Sequence, residues 1–182
     1  MQVIATELSG LVLLEPVVHG DERGFLVETY REDELAAAGI PTEFVQENQS
    51  RSLRGTLRGM HFQVGRGQAK LIRVSNGAIL DIVVDIRRSS PTFGDYQAVE
   101  LDDIRHRQLY VPVGFAHGFY VTSDVADVSY KLDALYDPAA ERGIAWDDEA
   151  LAIPWPDRSP ILSARDRSQP RLAEIVAELP DW

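Results

Sequence analysis

The 182-residue chain carries 18 Lys and Arg against 29 Asp and Glu, a formal charge of −11. That balance excludes a nucleic acid gripped by the whole surface, while leaving room for a small anion held by local cations. Cysteine is absent, which excludes a disulfide framework, a thiolate zinc ribbon and a cysteine nucleophile.

The first residues lack a basic, apolar leader, and no run approaches the roughly 18 apolar residues of a membrane span. The expectation is therefore a soluble, cytoplasmic protein with no membrane partner. A hydrophobic share of 45% suffices for a core, and no repeat, low-complexity tract or linker composition interrupts the chain. One domain over 1–182 is expected.

In chain order, His19-Gly20-Asp21 predicts a turn, followed by a short strand at Gly24–Glu28. Arg31–Ala38 reads as a helix stopped by Gly39. Period-two runs predict strands at Glu43–Gln46, Leu57–Gln63, Ala69–Val74, 79–86, Tyr96–Leu101, Gln108–Val113, His117–Val121 and Val128–Leu132. Segment 79–86 is the clearest, with Leu80, Ile82, Val84 and Ile86 on an apolar face and Asp81, Val83 and Asp85 on a mixed one. A last helix is predicted over Gln169–Glu178, with Leu172, Ile175, Val176 and Leu179 on one stripe before Pro180. Many short strands at regular spacing predict a mainly β fold, an antiparallel jelly-roll barrel with short flanking helices.

Charge is anomalous between Arg51 and Arg73, where Arg51, Arg54, Arg58, Arg66, Lys70 and Arg73 occur with no acidic residue. Such a segment is either a solvated basic face or a phosphate site, in which Arg forks grip oxygens and Lys adds a point charge. Alternation along Leu57–Gln63 places Arg58 and Met60 on one face, with Leu57, Gly59, His61 and Gln63 on the other.

Of four histidines, His19 in its turn and His106 in Arg-His-Arg are expected to be exposed. His61 and His117 lie among apolar and glycine residues within strands, so both are expected to point into the barrel. A single histidine there is more often a satisfied core residue, but two on separate strands favour a site. A metal centre would call for two or three imidazoles and a carboxylate, commonly with His-x-His on one strand. Positions 59 and 63 are Gly and Gln, so His61 has no such mate, although a two-histidine, one-carboxylate site stays geometrically open.

The strings Gly20-Asp21-Glu22-Arg23-Gly24-Phe25, Phe44-Val45-Gln46-Glu47-Asn48 and Leu57-Arg58-Gly59-Met60-His61-Phe62-Gln63 occur in order. They are followed by Asp81-Ile82-Val83-Val84-Asp85-Ile86-Arg87, Ser90-Pro91-Thr92-Phe93-Gly94, Pro112-Val113-Gly114-Phe115-Ala116-His117-Gly118-Phe119 and Tyr130-Lys131. Trp146-Asp147-Asp148, Ile153-Pro154-Trp155-Pro156 and Leu162-Ser163-Ala164-Arg165-Asp166 complete the series. Together, from about residue 11 to 170, this order resembles the dTDP-4-dehydrorhamnose 3,5-epimerase family.

The resemblance implies a cupin-like jelly-roll that works as a homodimer without a cofactor on a dTDP-linked 4-keto-6-deoxyhexose. Two outcomes stay open: inversion at C3 and C5 on the dTDP-L-rhamnose route, or inversion at C3 or C5 alone for another deoxysugar. Metal-dependent catalysis and non-catalytic binding of a sugar nucleotide are the readings from other classes.

By resemblance, His61 is the base, Asp166 the carboxylate that orients it, Tyr130 the acid and Lys70 the cation beside the ketone oxygen. Arg58, Arg23 and Arg165 are implied to clamp the diphosphate. Gln46, Asn48 and Glu28 are implied to bond sugar or base, and Tyr136 to stack on thymine. His117 with Asp81 is implied to shape the pocket, and the segment carrying Arg23 and Phe25 to enter the partner subunit's pocket. The chain departs from the common family pattern at Ala69, Val113 and Leu135, none of which is an implied proton-transfer residue.

Overall fold

Alternating β-branched and polar residues favour pleated strands that bury one face, and the computed structural model, which describes Met1–Trp182, arranges thirteen of them. These are β1 (Gln2–Ile4), β2 (Val12–Glu15), β3 (Val18–Asp21), β4 (Gly24–Val27), β5 (Gln46–Leu53), β6 (Leu57–Gln63) and β7 (Lys70–Asn76). They continue as β8 (Ala78–Asp85), β9 (Tyr96–Asp102), β10 (Gln108–Val111), β11 (Phe115–Val121), β12 (Val125–Leu132) and β13 (Glu141–Gly143). Helices α1 (Glu32–Ala37) and α2 (Leu172–Ile175) are short, and no helix is long and apolar enough to cross a membrane.

One sheet has the order β1-β2-β10-β7-β12-β5 and the other β13-β6-β11-β8-β9, with β3-β4 as a separate hairpin. Their pairings are antiparallel, and from β5 to β8 the chain switches sheet at every strand. This is the antiparallel jelly-roll expected from the strand spacing, and the cupin-like architecture that the family resemblance implies. One crossing, from β7 to β8, turns on Gly77 at φ +81°, where an added Cβ would sit 2.0 Å from the Val125 carbonyl oxygen, so only glycine fits.

Apolar side chains of both sheets meet between them, among them Ile72, Val74 and Val128 from one and Val83, Phe119 and Val121 from the other. A second cluster lies behind the five-stranded sheet, where Ile82, Val84 and Ile86 pack against Leu172, Ile175 and Leu179. The apolar stripe of segment 79–86 is therefore satisfied by the C-terminal segment, which leaves Asp81 and Val83 facing inward.

Several expectations are corrected. The strand placed at Glu43–Gln46 runs instead over Gln46–Leu53. Its residues alternate in exposure yet are nearly all polar, so no apolar period marked it. His19-Gly20-Asp21 is strand β3, and the turn falls on Glu22-Arg23. The last helix is confined to Leu172–Ile175, continued by a 3-10 turn over Val176–Glu178. His106 is buried, because a left-handed backbone at φ 52° folds its ring onto Phe25, 4.6 Å between centroids.

A polar knot closes one end of β8. Buried Asp85 accepts hydrogen bonds from Arg87 Nε and Nη2, Ser90 Oγ and Thr92 Oγ1 at 2.6–2.9 Å. Burial alone would raise its pKa, but these donors outweigh it and hold the carboxyl at about 2, below the ordinary 3.8. The folded pKa is depressed, so the stabilisation is complete above about pH 4 and is lost as pH falls towards 2. Asp85→Ala should cost about 3–5 kcal/mol, since it strands a guanidinium and two hydroxyls. Urea unfolding at pH 7 and pH 3 checks this, with the gap between parent and variant narrowing at the lower pH.

Candidate active site

At one end of the sandwich the apolar filling stops and polar side chains enclose a cavity of about 410 Å³. Strand β5 contributes Gln46 and Asn48, β6 contributes Arg58, His61 and Gln63, and β7 contributes Lys70. His117 and Phe119 come from β11, Tyr130 and Leu132 from β12, and Tyr136 and Glu141 close the rim.

Arg58 and His61 share this cavity, contrary to the alternation expected along β6. The reason is a bulge: His117 and Phe119, two apart on β11, register with His61 and Arg58, three apart on β6. The extra residue reverses the parity beyond it. Gly59 makes the bulge possible, at φ +137°, because a Cβ there would lie 2.5 Å from Gly118 Cα. Gly118 is equally confined, since its own Cβ would come within 2.9 Å of the Arg58 carbonyl oxygen.

His61 Nε2 lies 2.6 Å from Asp166 Oδ1, with the imidazole partly open to the cavity and the carboxylate only 5% exposed. Asp166 begins a 3-10 turn whose backbone N–H donates to Ser163 Oγ. Burial would raise the carboxyl pKa, yet His61, Ser163 and Arg165 hold it below its ordinary value. An ionised carboxylate on one ring nitrogen fixes the tautomer and leaves the other nitrogen available as a base.

Across from β6, Lys70 donates to the His61 carbonyl oxygen at 3.3 Å. Burial pushes its ammonium down to about 8, against the attraction of Asp81 and Glu141. His117 Nε2 lies 2.8 Å from Asp81 Oδ2, and both residues are buried. Arg58 donates through Nε to Ser52 Oγ at 2.9 Å, which leaves its terminal nitrogens free at the cavity wall. The two cavity histidines each commit Nε2 to a carboxylate, and no group of three or more His, Cys, Asp or Glu side chains is placed to hold a metal ion.

The basic segment divides. Only Arg58 and Lys70 line the cavity, while Arg51 pairs with Asp127 at 2.6 Å, Arg54 with Asp124 at 3.0 Å and Arg66 with Asp133 at 3.5 Å. Arg165 reaches the rim through Glu141 Oε2 at 2.6 Å, an oxygen that also accepts from the Tyr136 hydroxyl. Arg23, paired with Asp21 in its own turn, and Phe25 and Glu28 do not line the cavity of their own chain. Gln63, Gln68, Phe119, Leu132 and Glu141 line it without having been assigned a role from sequence. Glu141, inside Ala140-Glu141-Arg142, carries no sequence signal beyond its nearness to Tyr136.

The family model for dTDP-4-dehydrorhamnose 3,5-epimerase matches residues 5–174. A dTDP-4-dehydrorhamnose 3,5-epimerase of Shigella flexneri is 46% identical over 168 residues, 91% of this chain and 93% of the relative. The crystal structure of dTDP-6-deoxy-D-glucose-3,5-epimerase RmlC from Legionella pneumophila, in complex with dTDP-4-keto-L-rhamnose, superposes with a TM-score of 0.95. It is 43% identical, and the match covers 100% of this chain and 98% of that one. The Bacillus anthracis dTDP-4-dehydrorhamnose 3,5-epimerase, with TDP and PPi bound, gives a TM-score of 0.91 at 46% identity, covering 93% of this chain and 98% of that one. With its jelly-roll and nearly its whole length matched, the chain belongs to the dTDP-4-dehydrorhamnose 3,5-epimerase family.

Proposed function

We propose that this enzyme inverts a dTDP-linked 4-keto-6-deoxyhexose at C3 and C5 by removing and returning protons beside the ketone. The observation that carries the reading is that His61 and Tyr130 enter one cavity from opposite sheets, so a sugar ring between them meets a base on one face and an acid on the other. His61, oriented by Asp166, takes the proton from carbon and the electron pair moves onto the ketone oxygen as an enolate. The Lys70 ammonium faces that oxygen and stabilises its charge. Tyr130 then protonates the same carbon from the far side, and the two residues exchange the displaced proton with water before the next inversion.

Arg58, held by Ser52, together with Arg165 supplies the charge for the diphosphate, with Gln46 and Asn48 as hydrogen-bonding partners and Tyr136 as the stacking surface for the base. The β3–β4 hairpin presents Arg23 and Phe25 away from its own cavity, with Phe25 and Leu26 61% and 68% exposed. An exposed apolar hairpin of this kind fits insertion at a second copy's pocket, in a homodimer whose sites are each completed by the neighbour.

Incubation with dTDP-4-keto-6-deoxyglucose in D2O, followed by NMR, tests the reaction. Deuterium is expected at both C3 and C5. Incorporation at one carbon alone would establish a single epimerase, and incorporation at neither would remove the reaction altogether.

A further inference from the structure

Asp81 is 0% exposed and does not line the cavity. It belongs to the inward face of β8, beside Val83 of the central core. Its Oδ2 meets His117 Nε2 at 2.8 Å, and its Oδ1 has no hydrogen-bond partner in the protein. A buried carboxylate is tolerated when a cation compensates it, yet no Arg or Lys forms an ion pair with it.

The cation that shares the cavity with His117, the partner of Asp81, and has no ion pair of its own is Lys70, which enters from the opposite sheet and spends one of its three N–H donors on the His61 carbonyl. The titratable and charged groups around Lys70 are His61 and Arg58 on β6, Asp81 on β8, His117 on β11, Tyr130 on β12 and Glu141 on β13. Only two are carboxylates. Glu141 is already shared between Arg165 and the Tyr136 hydroxyl, so its charge is largely spent at the rim. Asp81 has no such competitor.

We infer that Asp81 is a positioning residue for the cationic wall of the site: it fixes the orientation and tautomer of His117 and provides the buried counter-charge that keeps Lys70 an ammonium. This rests on the epimerase reading for its consequence in turnover, not for its geometry. Burial lowers the pKa of His117, opposed by Asp81 and reinforced by the charges of Lys70 and His61, so the second cation is suppressed where the first is retained. With Nε2–H committed to Asp81, Nδ1 is left as an acceptor. Of Lys70 and His117, one alone thus carries a positive charge, matched to the single negative charge of an enolate.

Asp81→Asn keeps the shape and removes the charge. The alkaline limb of the pH profile of kcat/KM should move down by about one unit or more, with kcat at pH 7 reduced more than KM is raised. Asp81→Glu should leave the limb near its original position. A purely structural residue would lower thermal stability in both variants and leave the limb where it is, and that result overturns the inference. Should neither variant fold, 15N NMR of the unsubstituted protein decides: His117 carrying one protonated nitrogen at pH 7 supports the assignment, and two protonated nitrogens overturn it. If the unsubstituted protein fails to exchange substrate protons, the epimerase reading fails separately, and the imidazole spectrum still judges Asp81.

Discussion

Replacing His61 with alanine should lower turnover by about 10²–10⁴-fold, the usual range for loss of a general base. Substrate binding should change much less, because the diphosphate contacts proposed for Arg58 and Arg165 do not involve the imidazole. The expected fold is unchanged: His61 is partly exposed at the cavity and makes a single side-chain hydrogen bond, to Asp166. Deuterium wash-in at C3 and C5 should fall in step with turnover. If turnover stays within tenfold of the parent, His61 does not transfer the proton.

Lys70→Met should separate activity from stability in opposite directions. Turnover should fall by about 10²–10³-fold, the scale for removing one donor to a developing oxyanion. Stability at pH 7 should rise, because burial penalises the ammonium by more than Asp81 and Glu141 attract it and so holds its pKa at about 8 against an ordinary 10.5. Between those values the unfolded chain binds more protons than the folded one. The penalty is therefore complete below about pH 8 and disappears as pH climbs towards 10.5. Denaturant midpoints across that window should converge for parent and variant, while the parent's kcat/KM declines as the same ammonium loses its proton. A variant that is both active and less stable would show that Lys70 is an ordinary strand lysine.

The separation has a physical basis. A cation inside a sandwich is costly unless it is paired, and here its closest hydrogen bond is to a neutral carbonyl. A site that stabilises a charge formed only during reaction keeps its own charge incompletely compensated beforehand. Asp85 shows the contrast. Its five donors, the Arg87 backbone N–H included, satisfy it fully, so it contributes to stability and takes no part in the cavity.

Strands β6, β8 and β12 were legible because each alternates apolar with polar residues or carries β-branched runs, and β11 because a mostly apolar and aromatic run follows a turn signal. Strand β5 was not. Gln46, Asn48, Ser50 and Ser52 have the inward parity of a core strand, but at this end the interior is a polar cavity, so the residues needed there are polar. The short β1 and β13 pair at sheet edges and carry too few residues for any period to emerge. His106 was misread because local composition says nothing of a hairpin packed over the turn from far away in sequence.

By itself, the sequence determined the class of fold and the ordered family strings, and through the resemblance those strings carry it singled out His61, Asp166, Tyr130 and Lys70 as candidates; the period of burial is a local property. Only the tertiary structure decided which of these share a space. The bulge at Gly59 turned Arg58 and His61 to one face, half of the basic segment was paired with carboxylates outside the cavity, and Glu141 and Asp81 were brought to bear on the cavity from distant strands. Parity and charge pairing depend on register between strands, and register is set by contacts across the sheet that no stretch of sequence contains.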